Sequence, residues 1–470
     1  MVFASLGFLY IFLPLNLILY YVWNNKMYRN ILLTLFSFVF YAWGEPVWIL
    51  LLLFSATLDY GNALFIEKYR GTPLAKLGLV STVVLNLGLL AVFKYGTFIC
   101  DNINSVFSLH IKSPGFSLPI GISFYTFQTI SYVVDVYRNE VKAQRSWIKF
   151  AMFVSLYHQL VAGPIVRYSH IADEIDNRKF DIKDMSEGFT RFCIGLFKKV
   201  FIANVAGEFV LQYMGAKDFS GLSVSEAWFG LCMYAVQIYF DFSGYSDMAI
   251  GLGKMFGFHY LENFNYPYIA TSATDFWRRW HISLGTFFRD YIYIPMGGKR
   301  KNAYFNLFVV WFLTGLWHGP SWNFILWGLF FGVLIVIEKT LIKDFFKGPL
   351  KFLGHIYFIF IMLMGWALFY FTDLHKLKNY LSVMFGFTKN PLGSFEFGLV
   401  LQENIFWLLF TIVLCLPVYP FLQKKFSEKS PGWQIQSLRT GTIFFNVFVI
   451  CIATALLVGK SYNPFLYFRF

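Results

Sequence analysis

Apolar runs of a length suited to a bilayer recur along this chain, and the lysines and arginines gather in the short stretches between them. A hydrocarbon core of about 30 Å takes roughly 20 apolar residues of helix to cross. Residues 77–100, 228–253, 355–371, 405–422 and 442–458 reach or approach that length. Only 14% of the chain is charged and 57% is hydrophobic, where a soluble globule carries about 25% charge. The pattern predicts an all-α polytopic integral membrane protein with roughly ten to twelve spanning or re-entrant helices.

The net charge of +13 would suggest nucleic acid in a soluble protein. Here the cations lie in loops between apolar runs, so they read as anchors to the bilayer, and no nucleic acid is expected. Lys26 and Arg29 follow the run at residues 1–23, and Lys68, Arg70 and Lys76 follow the run at 47–65, so both loops read as cytoplasmic. Residues 101–117 hold Lys112 as their sole Lys or Arg and read as an extracytoplasmic loop. That alternation predicts an extracytoplasmic N-terminus. Residues 1–23 lack a basic leading region and a small-residue cleavage site and are expected to be a retained helix.

Five cysteines are scattered without a CxxC pair, and neither a phosphate-binding P-loop nor a dinucleotide fingerprint occurs. No metal site and no tightly bound cofactor are expected. The 22% aromatic content exceeds what interfacial belts need and is expected to fill space between helices.

Chemistry concentrates in residues 265–328, which carry His281 and His318. An imidazole in apolar surroundings is costly to place, so an ionisable group at membrane depth is a functional candidate. His318 closes the apolar run Tyr304 to Trp317, whose 14 residues make about 21 Å of helix, short of a full crossing. Gly319 and Pro320 then break it. Lys299, Arg300 and Lys301 precede the run, and Lys339, Lys343, Lys347 and Lys351 follow its return. Both ends are therefore expected to face the cytoplasm, with His318 at the tip of a re-entrant hairpin inside the membrane. His281 sits in a basic setting with Arg278, Arg279 and Arg289, and reads either as a reactive group or as part of a cytoplasmic surface.

Other stretches are polar for their depth. Residues 118–136 hold Ser123, Thr126, Gln128, Thr129, Ser131 and Asp135, which should face protein or a cavity. Residues 168–187 mix charges and read as a surface loop with a short amphipathic helix. Gln237 and Asp241 are four apart and share a helix face, where they either tie helices together or take part in chemistry.

Four motifs in one order complete the picture: QLVAGPIVRY (159–168), QIYFDFSGYSDMAIGLGKMFGF (237–258), ENFNYPYIATSATDFWRRWHISLGTFFRDYIYIPMGGKRK (262–301) and GLWHGPSWNFILWG (315–328). Together they closely resemble the membrane-bound O-acyltransferase superfamily, nearest to the bacterial branch that O-acetylates extracellular polysaccharides such as alginate and peptidoglycan. Tyr157 and His158 depart from the Phe-Pro that the family often shows there. The resemblance implies one such domain over residues 1–470, with a catalytic core at about 117–338, scaffold helices at about 1–116 and 339–470, and a central tunnel. It implies that His318, in the Trp-His-Gly motif, is the active histidine. It gives a second role to His281, 37 residues upstream. A neutral imidazole is a suitable base for a hydroxyl proton near neutral pH.

The implied reaction moves an acetyl group from a cytoplasmic thioester, acetyl-CoA or a related donor, for O-acetylation of a cell-envelope polysaccharide. The implied place is the cell inner membrane, and the implied partner is an extracytoplasmic esterase-like acetyltransferase. Arg278, Arg279, Lys299, Arg300 and Lys301 either draw the anionic donor or anchor the loop. Gln237, Asp241, Trp317 and Asn323 are further candidates for contact with substrate or donor. A D-alanyl transferase of teichoic acid fed by a carrier protein is the alternative within the family. A channel or transporter using Asp241, Asp247 and His318 is the alternative outside it.

Overall fold

Several helices begin where a polar side chain takes over an amide that the first turn leaves unpaired. Asn25 Oδ1 accepts from Tyr28 N at 3.0 Å to open Lys26–Gly44, and Ser272 Oγ accepts from Asp275 N at 3.0 Å to open Ala273–Trp277. Asp373 and Ser394 do the same for Leu374–Met384 and Phe395–Leu414. The computed structural model describes residues 1–161, 163–342, 348–418, 420–421, 432–459 and 465–466, with the backbone alone for 349 and 432–439. Lys343 and Lys347, expected to face the cytoplasm, lie outside the described residues.

The described residues are helical with no strand. Among the described residues six helical segments are long and apolar enough to cross a membrane: Ile49–Lys68, Pro73–Phe107, Trp322–Thr340, Lys351–Tyr370, Phe395–Leu414 and Thr440–Leu457. Phe8–Val22 is a shorter apolar one. Large side chains such as Phe406, 85% exposed, and Phe444 point outward from the last two, as a lipid-facing surface requires.

Two stretches differ from expectation. Residues 101–117 are not a loop throughout, because the helix Gly96–Phe107 continues to Ser108, whose left-handed φ of 52° ends it. Residues 168–187 form the helix Tyr168–Asn177 and the first part of Ile182–Phe197. Tyr168, Ile171 and Ile175 give the first of these helices a buried face that holds it against its neighbours.

The described chain forms two compact units. The first comprises Met1–Ile194, Tyr245–Glu262 and Leu457–Phe470. Its aromatic centre packs Phe3, Phe8, Phe12, Phe40 and Tyr157, with Phe12 and Tyr157 edge to face at 5.2 Å. Some buried polar groups in it are paired: Asn86 Nδ2 donates to both oxygens of Asp59 at 3.0 and 2.8 Å, and Arg191 Nε donates to the buried Asp247 at 2.8 Å. The helix Ile122–Tyr137 is buried along almost its whole length, which accommodates its polar side chains inside protein.

On the surface of this unit His259 lies between two carboxylates, with Nδ1 2.7 Å from Glu174 and Nε2 3.1 Å from Asp184. Partial burial opposes its protonation, but the two carboxylates outweigh that and raise its pKa. The folded state then binds the proton more tightly than the unfolded chain does. The resulting stabilisation is complete below the unfolded value of about 6.5 and fades as pH rises through the folded value.

The second unit comprises Gly195–Gly244 and Asn263–Leu456. Its central feature is an antiparallel hairpin of Ala303–His318 and Trp322–Thr340. A methyl placed on Gly328 would fall on the Trp311 carbonyl and 3.0 Å from Gly315 Cα, so the two backbones touch where neither residue has a side chain.

Gly328→Ala should therefore cost about 1–3 kcal/mol through overpacking against immobile backbone, read as a lower unfolding temperature and reduced monodisperse yield. Gly398→Ala, where an added methyl meets nothing within 4 Å, should be neutral or mildly stabilising. His259→Ala should lower the unfolding temperature more at pH 6 than at pH 9, and an equal loss at both would remove the charged clamp.

Candidate active site

The hairpin places His318. The helix that carries it ends at that residue because Gly319 takes an extended conformation and Pro320 has no amide to continue the ladder. His318 is 6% exposed and sits among rings, with centroids 5.0 Å from Trp317, 4.9 Å from Trp327 and 5.2 Å from Phe369, all close to perpendicular. Edge-to-face packing on three sides restricts how far the imidazole can swing.

His281 is reached from a different element. The short helix Ala273–Trp277 is capped by Glu338, whose carboxylate accepts from Ala273 N at 2.5 Å and from Thr274 N at 2.8 Å. The chain then turns through Arg278, Arg279 and Trp280 into His281, which opens the helix Ile282–Phe288 with φ 46° and ψ 53°. A left-handed conformation costs a residue with a Cβ about 1–3 kcal/mol, and such strain gathers at functional positions. The turn removes His281 from the basic surface that its neighbours suggested, leaving it 1% exposed.

Asn263 holds this geometry. Its main-chain oxygen accepts from Ile282 N at 3.0 Å, and its Oδ1 accepts from Ser283 N at 3.2 Å and from Ser283 Oγ at 2.8 Å. A backbone amide can only donate, so the atom it meets is the oxygen of the Asn263 amide. His281 Nδ1 lies 3.2 Å from that same oxygen and therefore carries the proton. Nε2 is left with its lone pair, buried and with no hydrogen-bond partner among the described residues. Burial also lowers the His281 pKa, which keeps the ring neutral. Its neighbours are aromatic: Phe242 at 4.7 Å, edge to face, and Trp317 at 5.9 Å. Trp317 thus contacts both histidines.

The remaining candidates divide. Asn323 is fully buried and its Nδ2 donates to the carbonyls of Leu368 and Phe369 at 3.2 Å, fixing the end of Lys351–Tyr370, while Oδ1 has no partner among the described residues. Asp241 is committed to Lys199 at 2.6 Å, both nearly fully buried, which is a contact between helices. Gln237 packs its amide against Gly207, a position where a Cβ would be 2.6 Å from Nε2. Arg279 is bound to Asp275 at 3.0 Å and to the Asn265 carbonyl at 3.3 Å. Arg278, Lys299, Arg300 and Lys301 are exposed, and Arg278 and Lys299 lie close enough to Lys339 to repel its charge. Among the described residues no three His, Cys, Asp or Glu side chains come together as metal ligands would.

Asn263, Lys199 and Glu338 were not among the residues singled out from sequence. Lys199 carried a usable signal, since a lysine in an apolar helix needs an acid, and Asp241 was the available one. Nothing local marks Asn263 as the partner of a histidine 18 positions away.

The arrangement sets two buried imidazoles among aromatic rings, in a unit that also carries the exposed Arg278, Lys299, Arg300 and Lys301. The membrane-bound O-acyltransferase family model matches residues 138–377, a span that contains both histidines, Asn263 and the hairpin. The chain is 37% identical to a probable alginate O-acetylase of Pseudomonas putida over the full length of both. It is 31% identical to a peptidoglycan O-acetyltransferase of Helicobacter pylori over 98% of this chain and 96% of that one. A teichoic acid D-alanyltransferase of Bacillus subtilis is 28% identical over 46% of this chain and 58% of its own. By the family match, the full-length relatives and its apolar helices, the chain belongs to the membrane-bound O-acyltransferases and is a multi-pass membrane acyltransferase.

Proposed function

We propose that the protein takes an acetyl group from a cytoplasmic thioester, acetyl-CoA or a related donor, for O-acetylation of a cell-envelope polysaccharide, with His318 as general base. The observation that carries this reading is the pair of buried histidines packed on Trp317 in a chain of an acyltransferase family. The full-length relatives named for alginate and peptidoglycan acetylation support the acyl group and the acceptor class. The alanyl reading has a relative over only about half of the chain in its favour.

In this mechanism the His318 imidazole removes the proton of an acceptor hydroxyl as its oxygen attacks the thioester carbonyl. The tetrahedral intermediate collapses with cleavage of the carbon–sulfur bond, and the imidazolium returns the proton to the departing thiolate. A buried base suits this step because burial disfavours the charged form until substrate supplies the proton. His281, with Nδ1 held by Asn263, presents Nε2 to orient the reacting groups. The exposed Arg278, Lys299, Arg300 and Lys301 draw the anionic donor toward the cytoplasmic mouth. The acceptor hydroxyl belongs to the polysaccharide or to an extracytoplasmic esterase-like partner that passes the acetyl group on. The protein resides in the cell inner membrane with its N-terminus outside.

His318→Ala should lower acetyl transfer from labelled acetyl-CoA by about a thousandfold, within the range for loss of a general base, while the protein still inserts into the membrane. Undiminished ester content in cells carrying that variant would remove His318 from the chemistry. Asn263→Ala should slow transfer on the order of a hundredfold by releasing the His281 ring. Asn263→Asp keeps the accepting oxygen and should recover much of that rate, whereas equal losses in both variants would assign Asn263 to stability alone.

A further inference from the structure

The first unit contains a cleft of about 690 Å³ on whose walls stand Lys26, Arg29, Arg178 and Lys179. Arg29 is the informative residue. It is 8% exposed, its Nε donates to the Tyr20 carbonyl at 3.2 Å, and its guanidinium carbon lies 4.8 Å from the Tyr20 ring and 5.6 Å from the Tyr21 ring. Its two terminal nitrogens have no hydrogen-bond partner among the described residues, and the residue lines the cleft. Arg178 is also held by neutral groups: Nε by the Tyr20 hydroxyl at 3.2 Å, Nη1 by the Glu174 carbonyl at 3.2 Å, Nη2 by Asn30 Oδ1. Lys26 contacts Asn177 Oδ1 at 3.3 Å.

The carboxylate on this wall, Asp176, is paired with Lys149. In the adjoining recess Asp184 is engaged by Lys254 and His259, and Asp181 accepts from Lys183 N. Two guanidinium groups thus line one cleft with neutral partners, whereas the buried Lys199 is matched by Asp241. A forked guanidinium fixed on aromatic faces matches phosphoryl oxygens bidentately better than it matches water.

We propose that this cleft binds a phosphate-bearing anion, with its oxygens taken by the Arg29 fork and flanked by Arg178, Lys26 and Lys179. The site is separate from the proposed transfer chemistry and does not depend on it. Two sources share this chemistry. The exposed Val22 and Trp23, next to the cleft, provide an apolar rim along which acyl chains of an anionic phospholipid would lie. A soluble phosphorylated ligand would need only the polar walls.

Full-length protein in nanodiscs separates these. In one arm, native mass spectrometry counts phosphatidylglycerol retained from mixed phosphatidylcholine and phosphatidylglycerol discs. In the other, equilibrium dialysis measures radiolabelled inorganic phosphate bound to protein in pure phosphatidylcholine discs. One saturable site is expected in at least one arm: the lipid arm alone identifies a headgroup, and the phosphate arm identifies a free phosphate ligand. Lys26→Gln and Lys179→Gln, both at exposed positions, should each weaken it by about fivefold with an unchanged unfolding temperature. Arg29→Gln should abolish it. Absence of saturable binding in both arms, or binding indifferent to both lysine variants in folded protein, overturns the proposal.

Discussion

The close approach of two backbones at Gly315 and Gly328 governs much of the second unit. With no side chain at either position, Ala303–His318 and Trp322–Thr340 pack at a distance that a single methyl group would prevent. The rings on either side then interlock, with Trp277 4.9 Å from Trp311 and 5.3 Å from Trp327. His318 stands at the end of one of these two helices, so its place is set by van der Waals contact in an aromatic lattice. Such a setting is stiff, because displacing one ring requires several others to move.

Charge is distributed in keeping with that economy. Lys199 and Asp241, both buried, are joined, and the buried Asp247 is held by the half-buried Arg191. Breaking the Lys199–Asp241 pair would strand a buried charge at a cost of about 3–5 kcal/mol, so these two residues are explained by each other and need no catalytic role. The uncommitted buried atoms of the second unit include His281 Nε2 and Asn323 Oδ1. Both belong to residues within or beside the Trp317–His318 cluster, and uncommitted polar atoms at low dielectric are where a substrate's own polar groups find their complement.

Much of this was legible from residues alone, and what was not has a physical reason. Helical architecture and membrane character follow from run length and loop charge, and the four motifs carry the family. The hairpin was visible because Gly319 and Pro320 must interrupt a helix. The stretch Arg278 to His281 was harder, since its local charge suggests a surface. In the structure these four neighbours take four different settings: Arg278 faces outward, Arg279 pairs with Asp275, Trp280 is 4% exposed and His281 1% exposed. A tight turn ending in a left-handed residue separates adjacent side chains in a way that composition does not record. Asn263 was hidden for a related reason, because a loop amide that folds onto a turn has no periodicity to reveal it.

The hairpin also reaches the second histidine, and through its opposite end. Glu338 lies near the close of Trp322–Thr340, about 28 Å of helix in all, and its carboxylate caps the helix whose following turn carries His281. At the other end Trp317 lies against the His281 ring itself. One rigid element therefore carries His318 covalently and constrains His281 twice, by a charge-assisted cap and by a ring contact. In the proposed reaction both imidazoles act on one acyl group, which requires their separation to hold to within a fraction of an ångström. Tying both to the same pair of glycine-apposed helices serves this end. It follows that the glycines, the cap and the tryptophan act on the chemistry as a unit, and that their effects should be expected to combine non-additively.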